Sequence, residues 1–149
     1  MPGPELPRFA VLGEALIDLV QPGPGDLYRA LPAGGPLNIA VGLRRLGHAT
    51  ALMARMSSGA LGTRVREFAE HADLDLSASV VTDEPATLAF ASIDEHGKAS
   101  YDFYVDGTSD WGWTPDELAA LPRQTDVVHT GSLATAVEPT RVAAEHLKS

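Results

Sequence analysis

Apolar positions along the chain fall into blocks of two kinds. Short runs in which nearly every residue is apolar predict buried strands: "RFAVLGE" at 8–14, "TALMARM" at 50–56 and "DVVHTGS" at 126–132. "ALIDLVQ" at 15–21 alternates well enough for a half-exposed strand, and "PGPGD" at 22–26 is a loop. A helical pattern runs from about 37 to 46 and stops at Gly47, a residue suited to the position just past a helix. "LGTRVREFAEHA" at 61–72 puts Leu61, Val65, Phe68 and Ala69 on one helical face, with Arg64, Arg66, Glu67 and Glu70 elsewhere. Strand, helix, strand, helix in this order predicts a parallel sheet. The pattern then changes. "TLAFASI" at 87–93 and "KASYDFYV" at 98–105 are strands joined by the short polar "DEHG", which predicts a hairpin that leaves the main sheet. "TPDELAAL" opens a helix with Thr114 as N-cap, Pro115 at the first position and Glu117 completing a capping box. "EPTRVAAEHLKS" starts a helix at Pro139 that runs on with no stop signal, so the chain is expected to end inside an amphipathic helix.

Composition narrows the class. The 149 residues suffice for one domain with a core, and a hydrophobic fraction of 44% with 21% charged residues is ordinary for a globular protein. No apolar run approaches the roughly 18 residues of a membrane span. The N-terminus lacks the basic and apolar regions of a signal peptide, so a cytoplasmic location is expected. With no cysteine there are no disulfides, thiolate metal sites or cysteine nucleophiles. A formal charge of -9 argues against nonspecific nucleic-acid binding, which depends on neutralising phosphates.

The candidate chemistry gathers in "PAGGPLNIAVGLRRLG" at 32–47. Gly34 and Gly35 lie directly before a helix, and Asn38 falls on its first turn. A helix N-terminus offers free N–H groups and glycines permit close approach, so the stretch could cradle a ligand; the alternative is a plain tight turn. It is not a phosphate-binding P-loop, because no Lys-Ser or Lys-Thr follows. "VLGEAL" after the first strand has one glycine where a dinucleotide fingerprint needs three. Asp18 sits in an otherwise apolar strand and must be exposed or given partners. Together with Asn38, which offers both a donor and an acceptor, it would suit a polyhydroxylated ligand; a solvated Asp18 on an edge strand and an Asn38 that only caps its helix are the alternative. The five histidines are scattered without metal-ligand spacing, so no metal is assigned. His129 is most simply a hydrogen-bonded core residue, and Trp111 and Trp113 are expected to cover a core edge rather than to stack on a ligand.

In order, "GEALIDLV", "AGGPLNIAVGLRRLG", "MARMSSGALGTRVREFAEHADLD" and "TDEPATLAFASIDEHGKASYDFYVDGTSDWGWT" resemble the ribokinase-like (PfkB-type) carbohydrate kinases, and among them bacterial fructokinases. The resemblance covers nearly the whole chain. It implies an α/β fold, a mostly parallel sheet between helices, with a small β-lid over the sugar formed here by segments at about 15–21 and 87–105. It implies that Gly34, Gly35 and Asn38 bind sugar hydroxyls with Asp18 as a further ligand, and that Ala89 and Phe103 line the lid side. It also implies ATP and Mg2+ as cofactors, a small sugar such as fructose as substrate, and a homodimer formed through the lid.

Two departures qualify this. Gly59 stands where the family commonly has an Asp in the turn after the third strand, which bears on that turn. Family members are about twice as long, and the Gly-Ala-Gly-Asp segment that supplies their catalytic base and anion hole has no match here. The chain is therefore expected to be the N-terminal half of a sugar kinase domain, with sugar-positioning residues but neither base nor ATP site. A non-catalytic sugar-binding or interaction module is the alternative, and ribose, 2-keto-3-deoxygluconate and adenosine stay open as substrates.

Overall fold

The structure is a computed structural model that describes residues 5–94 and 96–136. Three strands form a parallel sheet in the order β4-β1-β9: β1 (Phe9–Leu12) lies between β4 (Thr50–Met53) and β9 (Val127–Thr130). Alternation along a strand sends successive side chains to opposite faces. Val11 and Leu52 point into one core with Leu37, Ala40 and Val41 of α1 (Gly35–Arg45) and Val65 and Ala69 of α2 (Ala60–His71). Ala10, Leu12 and Met53 point the other way, against Ala78, Trp113 and Leu118. The two tryptophans are core residues, 5% and 4% exposed.

A second sheet, of four strands in the order β3-β2-β7-β8, stands apart from the first. It contains β2 (Leu16–Val20), β3 (Arg29–Ala33), β7 (Leu88–Ile93) and β8 (Ala99–Tyr104). Both segments expected to leave the α/β pattern are in it, and β2 pairs parallel with β7. The hairpin β7–β8 closes around Asp94, whose carboxylate accepts the His96 and Lys98 N–H groups at 2.9 Å, with Gly97 at φ 77°. Ile17 and Leu88, paired in register, enter the main core.

Several expectations are corrected. The run at 50–56 is two strands, β4 and β5 (Arg55–Ser57), and β5 pairs parallel with β6 (Val80–Thr82), which the sequence pattern does not mark. β3 is likewise unmarked, and it places β2 inside the sheet, so Asp18 is not on an edge strand. α1 begins at Gly35, two residues before the periodic pattern, because Pro36 suits a first turn. β9 was expected to be buried; instead Val127 and Val128 are 41% and 39% exposed, because β9 pairs with β1 alone among the described residues. At Gly59 the turn forms without an Asp: Ser57 Oγ takes the Gly59 N–H at 3.1 Å, and the Gly59 carbonyl starts α2 by accepting from Thr63. The capping box at Thr114 and Glu117 is present on α3 (Pro115–Leu118). The helix expected from Pro139 lies outside the described residues.

Candidate functional site

β1 and β9 run parallel with Leu12 opposite Thr130, so the segments that follow them emerge at the same end of the sheet. In open α/β sheets that end is where ligands bind. Gly13 and Glu14 follow β1, and Gly131 and Ser132 follow β9. The turn into α1 packs against both. A Cβ at Gly13 would stand 2.2 Å from Pro36 Cγ and 2.4 Å from the Gly131 carbonyl oxygen. Gly34 has φ 123°, and a Cβ there would lie 2.5 Å from the Glu14 carbonyl oxygen, so only glycine fits.

Above this junction lies a cavity of about 340 Å³, near the lower end of the range for small-molecule sites. Asp18, Gly34, Gly35 and Asn38 all line it, as does Phe103. Pairing explains why Asp18 and Phe103 meet: Asp18 is opposite Ala89 and Ala89 is opposite Phe103, so the three share one face of the second sheet. Ala89 itself is 1% exposed and is not among the lining residues, since its methyl group sits between two larger side chains. Tyr101 stacks beside Phe103 with ring centroids 6.0 Å apart and adds an apolar wall.

Burial pushes the Asp18 carboxyl above the ordinary carboxylate range. In α1 the first intrahelical bond runs from the Asn38 N–H to the Gly34 carbonyl at 3.0 Å. The Gly35 and Leu37 donors before it have no partner inside the helix, and Pro36 has no N–H. The Asn38 side chain is exposed and lines the cavity, so its amide is not spent on capping.

Glu14, Ser132 and Leu133 also line the cavity and escape a reading of the sequence. Glu14 is 1% exposed; its carboxylate accepts the Ala134 N–H at 3.0 Å and the Leu133 N–H at 3.4 Å. Its signal was an ionisable residue wedged between two apolar runs in "VLGEALI". Ser132 had only its place just after a parallel strand to mark it. Beside Glu14, Asp110 is fully buried and its Oδ1 accepts the Ala15 N–H at 2.7 Å. Burial raises its pKa to about 7, against the pull of the Thr87 hydroxyl and the Ala15 N–H, and the Glu14 carboxylate adds to the rise. His129 is half-buried, its ring near Gly131 rather than in the cavity lining.

The lining includes no Lys or Arg among the described residues, and none of them form a group of three or more His, Asp or Glu placed to hold a metal ion. With the carboxylates of Glu14 and Asp18 and no cation in its described lining, this cavity does not fit a nucleoside triphosphate with its cation.

Known proteins resemble this chain in sequence and in fold. The fructokinase of Klebsiella pneumoniae is 28% identical over 135 residues, which are 90% of this chain and 43% of that protein. The fructokinase of Rhizobium leguminosarum bv. trifolii is 32% identical over 130 residues, 85% of this chain and 40% of that protein. The chain thus spans under half the length of these curated relatives. Among solved structures, the fructokinase from Xylella fastidiosa superposes with a TM-score of 0.85 at 24% identity, over 95% of this chain and 48% of that one. The Vibrio cholerae O395 fructokinase in its fructose, ADP and calcium ion bound form superposes with a TM-score of 0.79 at 23% identity, over 95% and 46%. Both likenesses show the ribokinase-like fold. Residues 7–148 match the model of the pfkB family of carbohydrate kinases, and the chain belongs to that family.

Proposed function

We propose that this chain is the sugar-binding part of a fructokinase-like kinase, with fructose as its ligand. The observation that carries the reading is the convergence of Asp18, Asn38 and the Gly34–Gly35 turn on one cavity. A carboxylate accepts two or more hydroxyl donors, and an amide both donates and accepts. The Gly35 N–H adds a donor at a helix N-terminus, and Tyr101 and Phe103 offer an apolar wall to the C–H face of a sugar. With no Lys or Arg among its described lining residues, the cavity favours a neutral sugar over the anionic 2-keto-3-deoxygluconate, which would face Asp18 and Glu14. On this reading the second sheet is a lid over the sugar and the surface through which two copies pair.

Phosphoryl transfer needs a base, ATP and Mg2+, and depends on positioning and electrostatic stabilisation. We assign these to the part of the family fold that the chain does not span. Alone, it is expected to bind a sugar without phosphorylating it.

Titration calorimetry with fructose, ribose and 2-keto-3-deoxygluconate tests this. Fructose should bind to the wild type, and Asp18→Asn should weaken it about 10- to 100-fold by removing charge-assisted hydrogen bonds. No heat of binding with any of the three sugars would refute the site. Fructose-dependent ADP release above a no-enzyme control would refute the assignment of base and ATP site elsewhere.

A further inference from the structure

We propose that Glu14 is a positioning residue of this site: its carboxylate ties the segment after β9 to the glycine turn before α1 and so fixes the cavity wall formed by Ser132 and Leu133. The proposal rests on the reading of the cavity as a sugar site. Glu14 is buried where a carboxylate is costly unless its lone pairs are taken. What it takes are N–H groups at the start of the 3-10 turn Leu133–Thr135, which have no partner within that turn. These bonds join positions 119 and 120 residues apart in sequence, so they set tertiary geometry and not a local turn.

Three segments meet at this carboxylate. A Cβ at Gly35 would lie 3.3 Å from Ser132 Cβ and 3.8 Å from Glu14 Oε1, so the glycine turn, Glu14 and Ser132 are in close packing. The backbone that carries Glu14 is itself held, since Asp110 grips the next residue through the Ala15 N–H. A fixed anchor on one side and two N–H groups on the other leave the loop little freedom to move away from Gly35. Glu14 spends its oxygens on the protein, and its effect on a sugar passes through the wall it holds.

The test uses the isotopically labelled 149-residue chain and D-fructose as probe. Glu14→Gln replaces one acceptor oxygen by a donor, so one of the two N–H groups loses its partner. Fructose affinity should fall about tenfold, as expected for a lost charge-assisted hydrogen bond. Fructose-induced amide shifts at residues 131–134 should vanish while those at Gly34, Gly35 and Asn38 persist, and the Ala134 amide should exchange faster with solvent. Glu14→Asp keeps the charge but shortens the reach, and should show the same split; it serves if the glutamine variant does not fold. Unchanged affinity and loop shifts in both variants would overturn the proposal. So would an equal loss at both walls accompanied by a lower denaturant midpoint, which marks a purely structural role. If fructose moves no resonance of the wild type, the sugar-site reading falls and the positioning role falls with it. Slow Ala134 exchange in the wild type, quickened by Glu14→Gln, would then show that the tie exists and that the sugar reading alone failed.

Discussion

Gly34 and Gly42 bracket the first half of α1 and ask opposite things of the backbone. Gly34 sits at φ 123° with the Glu14 carbonyl oxygen where a Cβ would go, whereas Gly42 is helical with no atom within 4 Å of its Cβ position. Gly34→Ala should therefore cost about 2 kcal/mol or more. Gly42→Ala should stabilise by about 0.5–1 kcal/mol, because alanine restricts the unfolded chain and favours the helix. Urea midpoints of the two variants check this, and equal effects would mean that the turn at Gly34 is not as tight as described. Asp110 gives a pH signature. Its pKa is about 7 in the fold against an ordinary 3.8, so between those values the folded protein holds a proton that the unfolded chain has lost. Its stabilising contribution is full below about pH 4 and is lost as pH rises through about 7. Asp110→Asn keeps an acceptor for the Ala15 N–H and stays neutral throughout. Compared at about pH 5 and about pH 8, the variant should gain on the wild type at the higher pH. A constant difference between them would show that Asp110 titrates in the ordinary range.

α3 shows what one side chain does at the level of an element. Glu117 Oε2 accepts the Thr114 N–H at 2.9 Å, and Oε1 pairs with the Arg55 guanidinium, whose side chain is 7% exposed. Thr114→Ala removes a cap and should cost about 1 kcal/mol. Glu117→Ala removes the same box and also takes from a buried cation the nearer of its two carboxylates, leaving it the Ser109 carbonyl at 3.0 Å and Glu84 at 3.6 Å. It should cost about 3 kcal/mol, and thermal melts of the two variants that agree would place Arg55 in solvent. The capping box was readable because its chemistry is local. So were α1, α2 and the hairpin, each set by a period or a turn. β3 was not: in "RALPA" only Arg29 is polar and Leu31 is apolar yet exposed, so residue type does not alternate although burial does, and it is a strand only because β2 lies beside it. β5 and β6 fail for the same reason, being three residues each and defined by their mutual pairing. The site divides likewise. Asp18, Gly34, Gly35 and Asn38 stood out by type and spacing. Ser132 enters because β1 and β9 end side by side, and Tyr101 because β8 pairs with β7, while Glu14 had only its place between two apolar runs to mark it.

For the whole molecule, the two edges of the parallel sheet differ. At the β4 edge, Leu52 donates to the Asp75 carbonyl and Asp75 donates to the Thr50 carbonyl, so backbone groups there are taken. At the β9 edge, among the described residues, nothing pairs outward, and Val127 and Val128 are two-fifths exposed. The second sheet shows apolar surface too: Ile93 is 65% exposed, Tyr101 53% and Tyr104 59%. Parallel sheets are ordinarily covered on both faces and protected at their edges, and a large apolar patch marks an association surface. The 15.7 kDa chain is therefore expected to associate, with a light-scattering mass that rises with concentration. Two substitutions separate the routes. Val128→Lys places a charge on the β9 edge, the usual device against edge pairing, and should reduce association if that edge is the contact. Tyr104→Ser should reduce it if the copies meet through the second sheet. A mass that stays monomeric at all concentrations, together with one steep cooperative denaturant transition, would show that these surfaces are stable in water and that the chain folds as a self-sufficient unit.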